Sequence, residues 1–569
     1  MNTPMALPNK QLNQKPSNET ITNDCNTYDA IIIGSGIGGL TTAALLSKCF
    51  KKKVLVLEQH FKPGGFTHAF QRKGKFCWDV GLHYVGEMAP GSLARSAFDY
   101  LSEGRLAWQK MPDPFEHFVY PDFTFKVSSN PKQYLADLIH KFPQEASSLW
   151  QYFQDVEKAS SWVVTNAFLE VIPPVARRLV KIAVKAHGNL AKETTQCYLD
   201  RNFKDNRLKS LLTSQWGDYG LPPSKSSFGI HSVVVNHYLK GAWYPVGGSE
   251  AIVKALLPTI ERSGGVVKTR HKVTEIVLTD DEVQGVQVHQ VSGSNPKSAP
   301  LESIFYRSPV VISGVGAYNT FLKLIPDCTS LSERDSMLSI YGQNCEQTRG
   351  QDKDKSTIVT LYLGLKESPR KLGFKGENHW IYKTYNHEHK DNIDSLKKGD
   401  RATASNAFSS CYLTFPSLKD PLAKGNTAEI IASVDYTLFE QWAHYPWKKR
   451  GEQYETLKSR ISNSLIQLIE KQYSGFQDLI EYQELATPLT FQYFVNNQQG
   501  EIYGTPFTAH RFDQTWAQAS TSLKNLYLTG ADTFTPGLVG AMWGGVKAAG
   551  LTQGILGFPT IMLAILTAK

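Results

Sequence analysis

The chain of 569 residues is 41% hydrophobic and 20% charged, with a mean hydropathy of −0.30 and a formal net charge of +9. That balance excludes a disordered chain and an integral membrane bundle, and the length calls for two intertwined lobes rather than one core. The positive excess is modest: without a zinc pattern, a stacking platform or a recognition helix it does not make nucleic acid a partner, although it suits contact with anionic lipid.

Residues 1–27 are polar and rich in Asn, lack the apolar core of a signal peptide and read as a disordered lead. Ordered sequence starts at Tyr28. Ala30-Ile31-Ile32-Ile33 is a continuous apolar run, as expected of a parallel strand buried on both faces. A glycine turn, a helical stretch from Leu40 to Lys48 and a second buried strand, Lys53 to Glu58, complete a strand-turn-helix-strand unit.

The turn, Gly34-Ser35-Gly36-Ile37-Gly38-Gly39, fits G-x-G-x-x-G through Gly34, Gly36 and Gly39. Alone the pattern is weak, but it stands between a strand and a helix, where its mechanism needs it. One glycine makes the tight turn, one lets a pyrophosphate approach the backbone, and one packs the helix on the strand. The pyrophosphate then meets free N–H groups and the positive end of the helix dipole. Glu58 closes the second strand, where a carboxylate accepts hydrogen bonds from ribose hydroxyls and repels a 2′-phosphate. Lys62-Pro63-Gly64-Gly65-Phe66 is either a second backbone turn at the same pyrophosphate or an ordinary Pro-Gly loop.

From about Gly104 to Lys240 the pattern turns helical and irregular, with helices predicted at Pro131 to Lys141 and Glu145 to Lys158. Within it, Pro173 to His187 carries Arg177, Arg178, Lys181 and Lys185 at helical spacing, with Leu179, Ile182, Ala183 and Ala186 pointing elsewhere. This is a helix for the headgroup region of a bilayer or an amphipathic helix packed on the lobe, and exposure of Trp162 and Phe168 would favour the bilayer. Tyr244 to about Gly316 supplies a helix, Ser249 to Ser263, and strands at Gly265 to Thr269 and Val273 to Leu278. Further strands are expected at Ser356 to Leu363 and Ala428 to Val434, a helix at Tyr454 to Gln472, and surface loops at the polar runs Gly350 to Lys355 and Asn386 to Arg401.

Near the end, Leu526-Tyr527-Leu528-Thr529-Gly530-Ala531-Asp532 is a strand running into a carboxylate-bearing turn. In the helix after Pro536, Gly537, Gly540, Ala541, Gly544, Gly545, Ala548 and Ala549 recur every three to four residues. Such a stripe admits close approach of another helix or of an isoalloxazine ring, and the second arrangement makes the cofactor FAD rather than NAD, with Gly530, Asp532 and Gly540 beside it. The apolar tail Gly554 to Leu566 is too short to span a bilayer. The cysteines, Cys25, Cys49, Cys77, Cys197, Cys328, Cys345 and Cys411, form no C-x-x-C pair, so no metal is expected and a reducing, cytoplasmic setting is.

Gly34 to Gly39, Lys62-Pro63-Gly64-Gly65 and Leu528-Thr529-Gly530-Ala531-Asp532 together resemble the flavin-dependent phytoene desaturase and carotenoid isomerase superfamily, and within it the retinol saturase family. Gly81-Leu82-His83-Tyr84-Val85-Gly86, Val235-Asn236-His237-Tyr238, Tyr244-Pro245-Val246-Gly247-Gly248-Ser249, Phe415 to Pro421, Thr487-Pro488-Leu489-Thr490 and Gly537 to Ala541 extend the likeness over nearly the whole chain after Tyr28. Phe491 and Gln499 depart from the saturase pattern, where Asn and Arg are expected.

The resemblance implies an α/β fold: a Rossmann-type FAD-binding domain built from the discontinuous segments 28–103, 244–316 and 523–558, and an interleaved α+β substrate lobe, 104–243 and 317–522, with a tail at 559–569. Its cofactor contacts are Gly34, Ser35, Gly36, Gly38, Gly39, Glu58, Gly64, Gly65, Val273, Gly530, Asp532 and Gly540, Val273 standing where relatives bring a backbone amide to the adenine.

The implied reaction is saturation of a C=C bond in an apolar polyene such as a retinoid or carotenoid, by flavin hydride plus a proton. Desaturation, cis-trans isomerisation and a non-catalytic flavin-containing carrier of apolar ligands are the alternatives. His83, Tyr84 and His237 are the first candidates for the proton donor, with Tyr238 and Tyr503 behind them. No second dinucleotide fingerprint is present, which leaves NAD(P)H open as an external electron donor. An apolar substrate makes peripheral membrane contact an expectation as well; the oligomeric state is left open.

Overall fold

A computed structural model describes residues 26–291, 300–327, 329–341, 356–388 and 407–568. The expected disordered lead lies almost wholly outside the described residues, as do Cys25, Cys328, Cys345, the run 350–355 and most of the run 386–401.

In chain order the elements are β1 (Ala30–Ile33), α1 (Ile37–Phe50), β2 (Val54–Leu57), β3 (Glu116–Val119), β4 (Thr124–Val127), α2 (Ala146–Phe168), α3 (Pro174–Ala183), β5 (Val266–Lys268), β6 (His271–Thr279) and β7 (Val311–Ser313). There follow β8 (Ser356–Leu365), β9 (Asn378–Tyr382), β10 (Ser410–Thr414), β11 (Asn426–Asp435), α4 (Glu452–Gln472), β12 (Ile480–Ala486), β13 (Leu526–Leu528), α5 (Gly537–Leu551) and α6 (Gly557–Thr567).

Five strands make a parallel sheet in the order β13-β7-β1-β2-β5. The apolar run of β1 has its reason here: Ala30 and Ile32 enter the core shared with α1 and α5, while Ile31 and Ile33 enter the core on the other face with Val273 and Phe321. Strands that are neighbours in this sheet come from the two ends and the middle of the chain, so the glycine turn after β1 and the turn after β13 open at the same sheet edge.

The second sheet has seven strands in the order β12-β8-β11-β10-β9-β3-β4, antiparallel except for the β9–β3 pair. One face packs on α4, and the other meets the helical stretch through Phe118, Trp380, Tyr382 and Tyr412. The stretch expected to be helical from Gly104 onward in fact begins with three strands, Trp108–Lys110, β3 and β4. Each is three or four residues long, too short to announce a period; Trp108–Lys110 pairs with Trp243–Pro245 and β3 with β9, both far away in sequence, while β4 is an edge strand held by β3 alone.

A further expectation is corrected. Pro173 to His187 is not one helix: α3 ends at Ala183 and a second helix, Lys185–Lys192, follows. No residue of α3 is buried, whereas Trp162 is buried against Phe512 and Gly188, and Phe168 packs on Phe534, Trp543 and Phe558. The small-residue stripe of α5 divides: a Cβ on Gly545 would lie 2.6 Å from the Gly38 carbonyl oxygen and 2.7 Å from Thr41 of α1, while Gly537 and Ala541 line the cavity between the two sheets. Among the described residues no helix is long and apolar enough to cross a membrane.

Candidate functional site

One cavity of about 1530 Å³ runs between the two sheets. Its first half is walled by Gly34, Gly36, Gly38, Glu58, Gly64, Gly65, Val273, Gly530 and Asp532, and its second by Trp216, Asp218, Trp380, Tyr412, Phe491 and Tyr503. The volume exceeds the 300 to 1,000 Å³ common for a single small ligand and leaves room for two.

The nucleotide half is built from backbone. Helix α1 starts at Gly36 with no side-chain cap, and α5 starts at Pro536 likewise, so both present unpaired N–H groups to the cavity, as an anion requires. A Cβ on Gly36 would meet nothing within 4 Å, whereas one on Gly39 would lie 2.2 Å from the Gly34 carbonyl oxygen. The second glycine of the pattern thus keeps space for a ligand and the third lets helix and strand close. The Pro-Gly loop joins the same cradle: Gly64 N–H donates to Ser35 Oγ at 3.0 Å, and a Cβ on Gly65 would stand 3.2 Å from Gly36 Cα.

Glu58 is buried, with Oε2 accepting from the Ser35 N–H at 3.0 Å and the Ser35 hydroxyl at 2.6 Å, and Oε1 from the His60 N–H at 2.8 Å. Ser35 is therefore behind the cavity wall, orienting the carboxylate. Asp532 is buried on the wall, where its carboxylate accepts from the backbone N–H of Ala317 at 2.8 Å and of Thr505 at 3.1 Å, which ties two loops to the turn. Val273 stands on the wall beside a bulge in the β6 ladder. Gly540 does not line the cavity: its missing Cβ makes way for the Thr535 carbonyl oxygen, 2.1 Å from where that Cβ would be.

The proton-donor candidates separate. His83 lines the cavity, with Nδ1 3.0 Å from Glu429 Oε2, a distance for an ion pair but without hydrogen-bond alignment. Tyr84 sits behind the wall, stacked on Tyr238, and its hydroxyl donates to Asp218 Oδ2 at 2.6 Å. Burial holds both tyrosine hydroxyls well above the usual phenol range. His237 is engaged elsewhere: Nε2 accepts the Gly86 N–H at 2.9 Å and Nδ1 lies 3.4 Å from Glu87. Tyr503 lines the cavity and packs on Gly220.

Asp218 and Glu501 are cavity groups that sequence reasoning missed. Burial pushes the Asp218 carboxyl up to about 6, and burial with Asp532 nearby pushes Glu501 up to about 8. Each is a lone acid in an irregular stretch, Asp218 in a short turn between Gly217 and Gly220, and only its three-dimensional surroundings distinguish it from a surface residue. Behind the wall lies a further buried set. Glu116, pushed up to about 8 by burial, accepts from Trp380 Nε1 at 2.9 Å and Gln215 Nε2 at 2.6 Å, while Lys419 Nζ donates to the His83 carbonyl at 2.7 Å, to Asn378 Oδ1 at 2.6 Å and to the Thr414 hydroxyl.

Comparison with known proteins matches residues 32–101 to the NAD(P)-binding Rossmann-like domain family. The chain is 32% identical over 538 residues to an all-trans-retinol 13,14-reductase of Danio rerio, covering 91% of this chain and 84% of that protein. It is 23% identical to a prolycopene isomerase of an Oncidium hybrid cultivar, covering 94% and 85%. Among solved structures, an oxidoreductase from Methanosarcina mazei superposes with a TM-score of 0.55 at 15% identity, covering 91% of this chain and 98% of that one, which shows a shared fold.

Proposed function

The chain belongs to the all-trans-retinol 13,14-reductase family, and from that premise we propose that it binds FAD and saturates a C=C bond of a retinoid-like polyene. The observation that carries the proposal is the single cavity in which a backbone cradle for a dinucleotide opens directly onto an aromatic chamber. When bound, FAD supplies hydride chemistry at a carbon centre.

The residues of the chain divide the remaining work. The uncapped starts of α1 and α5, with Gly36 leaving the space, receive pyrophosphate charge, and Glu58, held by Ser35, is placed for ribose hydroxyls. Trp216, Trp380, Tyr412 and Phe491 offer flat apolar surface to a conjugated chain and keep water from it. Saturation needs one proton at the second alkene carbon. Asp218 is the donor in this proposal: burial keeps its carboxyl protonated nearer to neutrality than an ordinary aspartate, Tyr84 fixes its orientation, and on giving up the proton it becomes a carboxylate hydrogen-bonded to that same hydroxyl. NAD(P)H is the proposed external electron donor.

Isomerisation is the second reading, supported by the likeness to the prolycopene isomerase. Anaerobic incubation of the flavin-loaded protein with a chemical reductant and all-trans-retinol decides: a product two hydrogens heavier supports saturation, and a product of unchanged mass with a new geometry supports isomerisation.

Access for such a substrate is proposed along α3 and α6. Val175, Leu179 and Ile182 on α3 and Leu563 and Leu566 on α6 are exposed, more apolar surface than a freely soluble face normally shows, and exposed Arg178, Lys181 and Lys185 provide positive charge beside it. Phe168, at the end of α2 and six residues before α3 begins, packs on Phe558 of α6. Peripheral contact with an anionic bilayer is the reading these faces support.

A further inference from the structure

On the face of the seven-stranded sheet that turns away from the cavity, His117 of β3 and His379 of β9 are register partners on neighbouring parallel strands. Glu377 precedes His379 by two residues and so shares its face. The atoms that the three side chains offer lie within 4.8 Å of one another, with His379 Nε2 3.5 Å from Glu377 Oε1.

Two features mark this cluster as more than a buried polar patch. The His379 side chain is only 2% exposed, yet its Nε2, aimed at Glu377 and His117, has no hydrogen-bond partner. A buried imidazole nitrogen left in that condition beside a carboxylate and a second imidazole calls for an explanation. In addition, two of the three groups are held from behind. The Tyr473 hydroxyl is 2.7 Å from His379 Nδ1, and the Lys375 N–H donates to Glu377 Oε2 at 2.8 Å. That outer support is what orients metal ligands: with Nδ1–H given to Tyr473, the lone pair is on Nε2.

We propose that His117, His379 and Glu377 bind a divalent transition-metal ion of the Zn²⁺ class, with water completing the tetrahedron. Two imidazoles and one carboxylate suit Zn²⁺, whose bonds of about 2.0 to 2.2 Å set ligand atoms roughly 3.3 Å apart. The cluster reaches that spacing by a shift of about 1.5 Å or less, and His117, which is only half-buried, is free to make it. Cysteine spacing gave no sign of a metal, because the ligands are brought together by pairing of β3 with β9 rather than by proximity in sequence.

The ion has a structural consequence for the catalytic chamber. Residues next to its ligands, Glu116 and Trp380, project to the opposite face, where Trp380 donates to Glu116 and lines the cavity. A metal bridging the same two strands fixes the register that presents Trp380.

The test uses full-length, flavin-loaded protein freed of metal with a chelator and titrated with Zn²⁺ and Co²⁺. One equivalent bound per chain is expected, with a visible ligand-field spectrum for Co²⁺ and a rise in Tm of a few degrees for Zn²⁺. His117→Ala and Glu377→Gln should each abolish the stoichiometric binding and the spectrum while leaving the Tm of the metal-free protein within about 2 °C. Failure of the parent protein to bind either ion, or undiminished binding by both variants, overturns the proposal.

Discussion

Gly38 lies against Gly530: a Cβ on Gly38 would stand 2.6 Å from Gly530 Cα and 2.7 Å from Gly530 N, although the two residues come from opposite ends of the chain. The first turn of α1 and the turn after β13 are thus in van der Waals contact, and both line one cavity. Because the obstacle is backbone, Gly38→Ala has to push α1 and the turn apart. Overpacking of this kind costs about 1 to 3 kcal/mol, so Gly38→Ala should lower the Tm and reduce flavin content together, read by circular dichroism and by flavin absorbance per mole of protein.

Gly36→Ala should behave differently. Its added Cβ meets no protein atom within 4 Å, so the fold should keep its Tm within about 2 °C, while the methyl group occupies the space proposed for pyrophosphate. The expected result is a folded protein whose FAD affinity falls about 10-fold or more, a loss of at least roughly 1.4 kcal/mol. Tight FAD binding by this variant would remove the cradle from the site.

Asp218→Asn should leave flavin binding intact and lower kcat about 100-fold or more, the usual contribution of a positioned acid. Two pH effects accompany it. Only the protonated carboxyl can donate, so parent kcat should decline as pH rises through about 6, the value to which burial pushes Asp218. For stability, a folded value above the ordinary 3.8 means that folding takes up a proton. That contribution is complete below 3.8 and lost as pH rises through about 6, so the Tm of Asp218→Asn should vary less with pH across that window than the Tm of the parent.

The contrast between these residues shows what the sequence could reveal. The placement of the glycine turn, Glu58 and the Asp532 turn was legible because each rests on a local rule: a strand, a backbone conformation and a helix start in fixed order. The core of β1 was legible for the same reason, since burial on both faces writes an unbroken apolar run. Strands β3 and β4 were hidden because a four-residue strand draws its identity from its neighbours. Asp218 and the His117–His379 pair were hidden because the decisive partner is distant in sequence: Tyr84 reaches Asp218 across 134 positions, and His117 meets His379 only through the pairing of β3 with β9. His237 attracted attention as a titratable group beside a tyrosine, yet its nitrogen is spent on the Gly86 N–H.

Lys419 supports the wall without touching the cavity. Its Nζ is the buried donor for the His83 carbonyl, Asn378 and Thr414. Lys419→Met leaves those acceptors, with Glu429 and Asp79 nearby, without it, at a cost on the order of 3 kcal/mol in urea denaturation. Burial pushes Lys419 down to about 7 from 10.5. Its contribution is therefore complete above 10.5 and lost as pH falls through about 7, and the variant should show a flatter stability profile over that range.

The exposed face of α3 separates access from chemistry. Val175, Leu179 and Ile182 are themselves exposed and bury little surface, so replacing all three with Ser should leave the Tm and the flavin content unchanged. Immersing even part of each side chain in a bilayer contributes about 1 kcal/mol per residue, so the triple variant should bind phosphatidylserine vesicles at least about 10-fold more weakly in a cosedimentation assay. Salt should weaken the parent as well, because Arg178, Lys181 and Lys185 act at the charged surface. Turnover of a detergent-dispersed polyene should persist in the variant while turnover of the same polyene in vesicles falls; a parent protein that ignores vesicles at low salt would show that this face serves something other than a membrane.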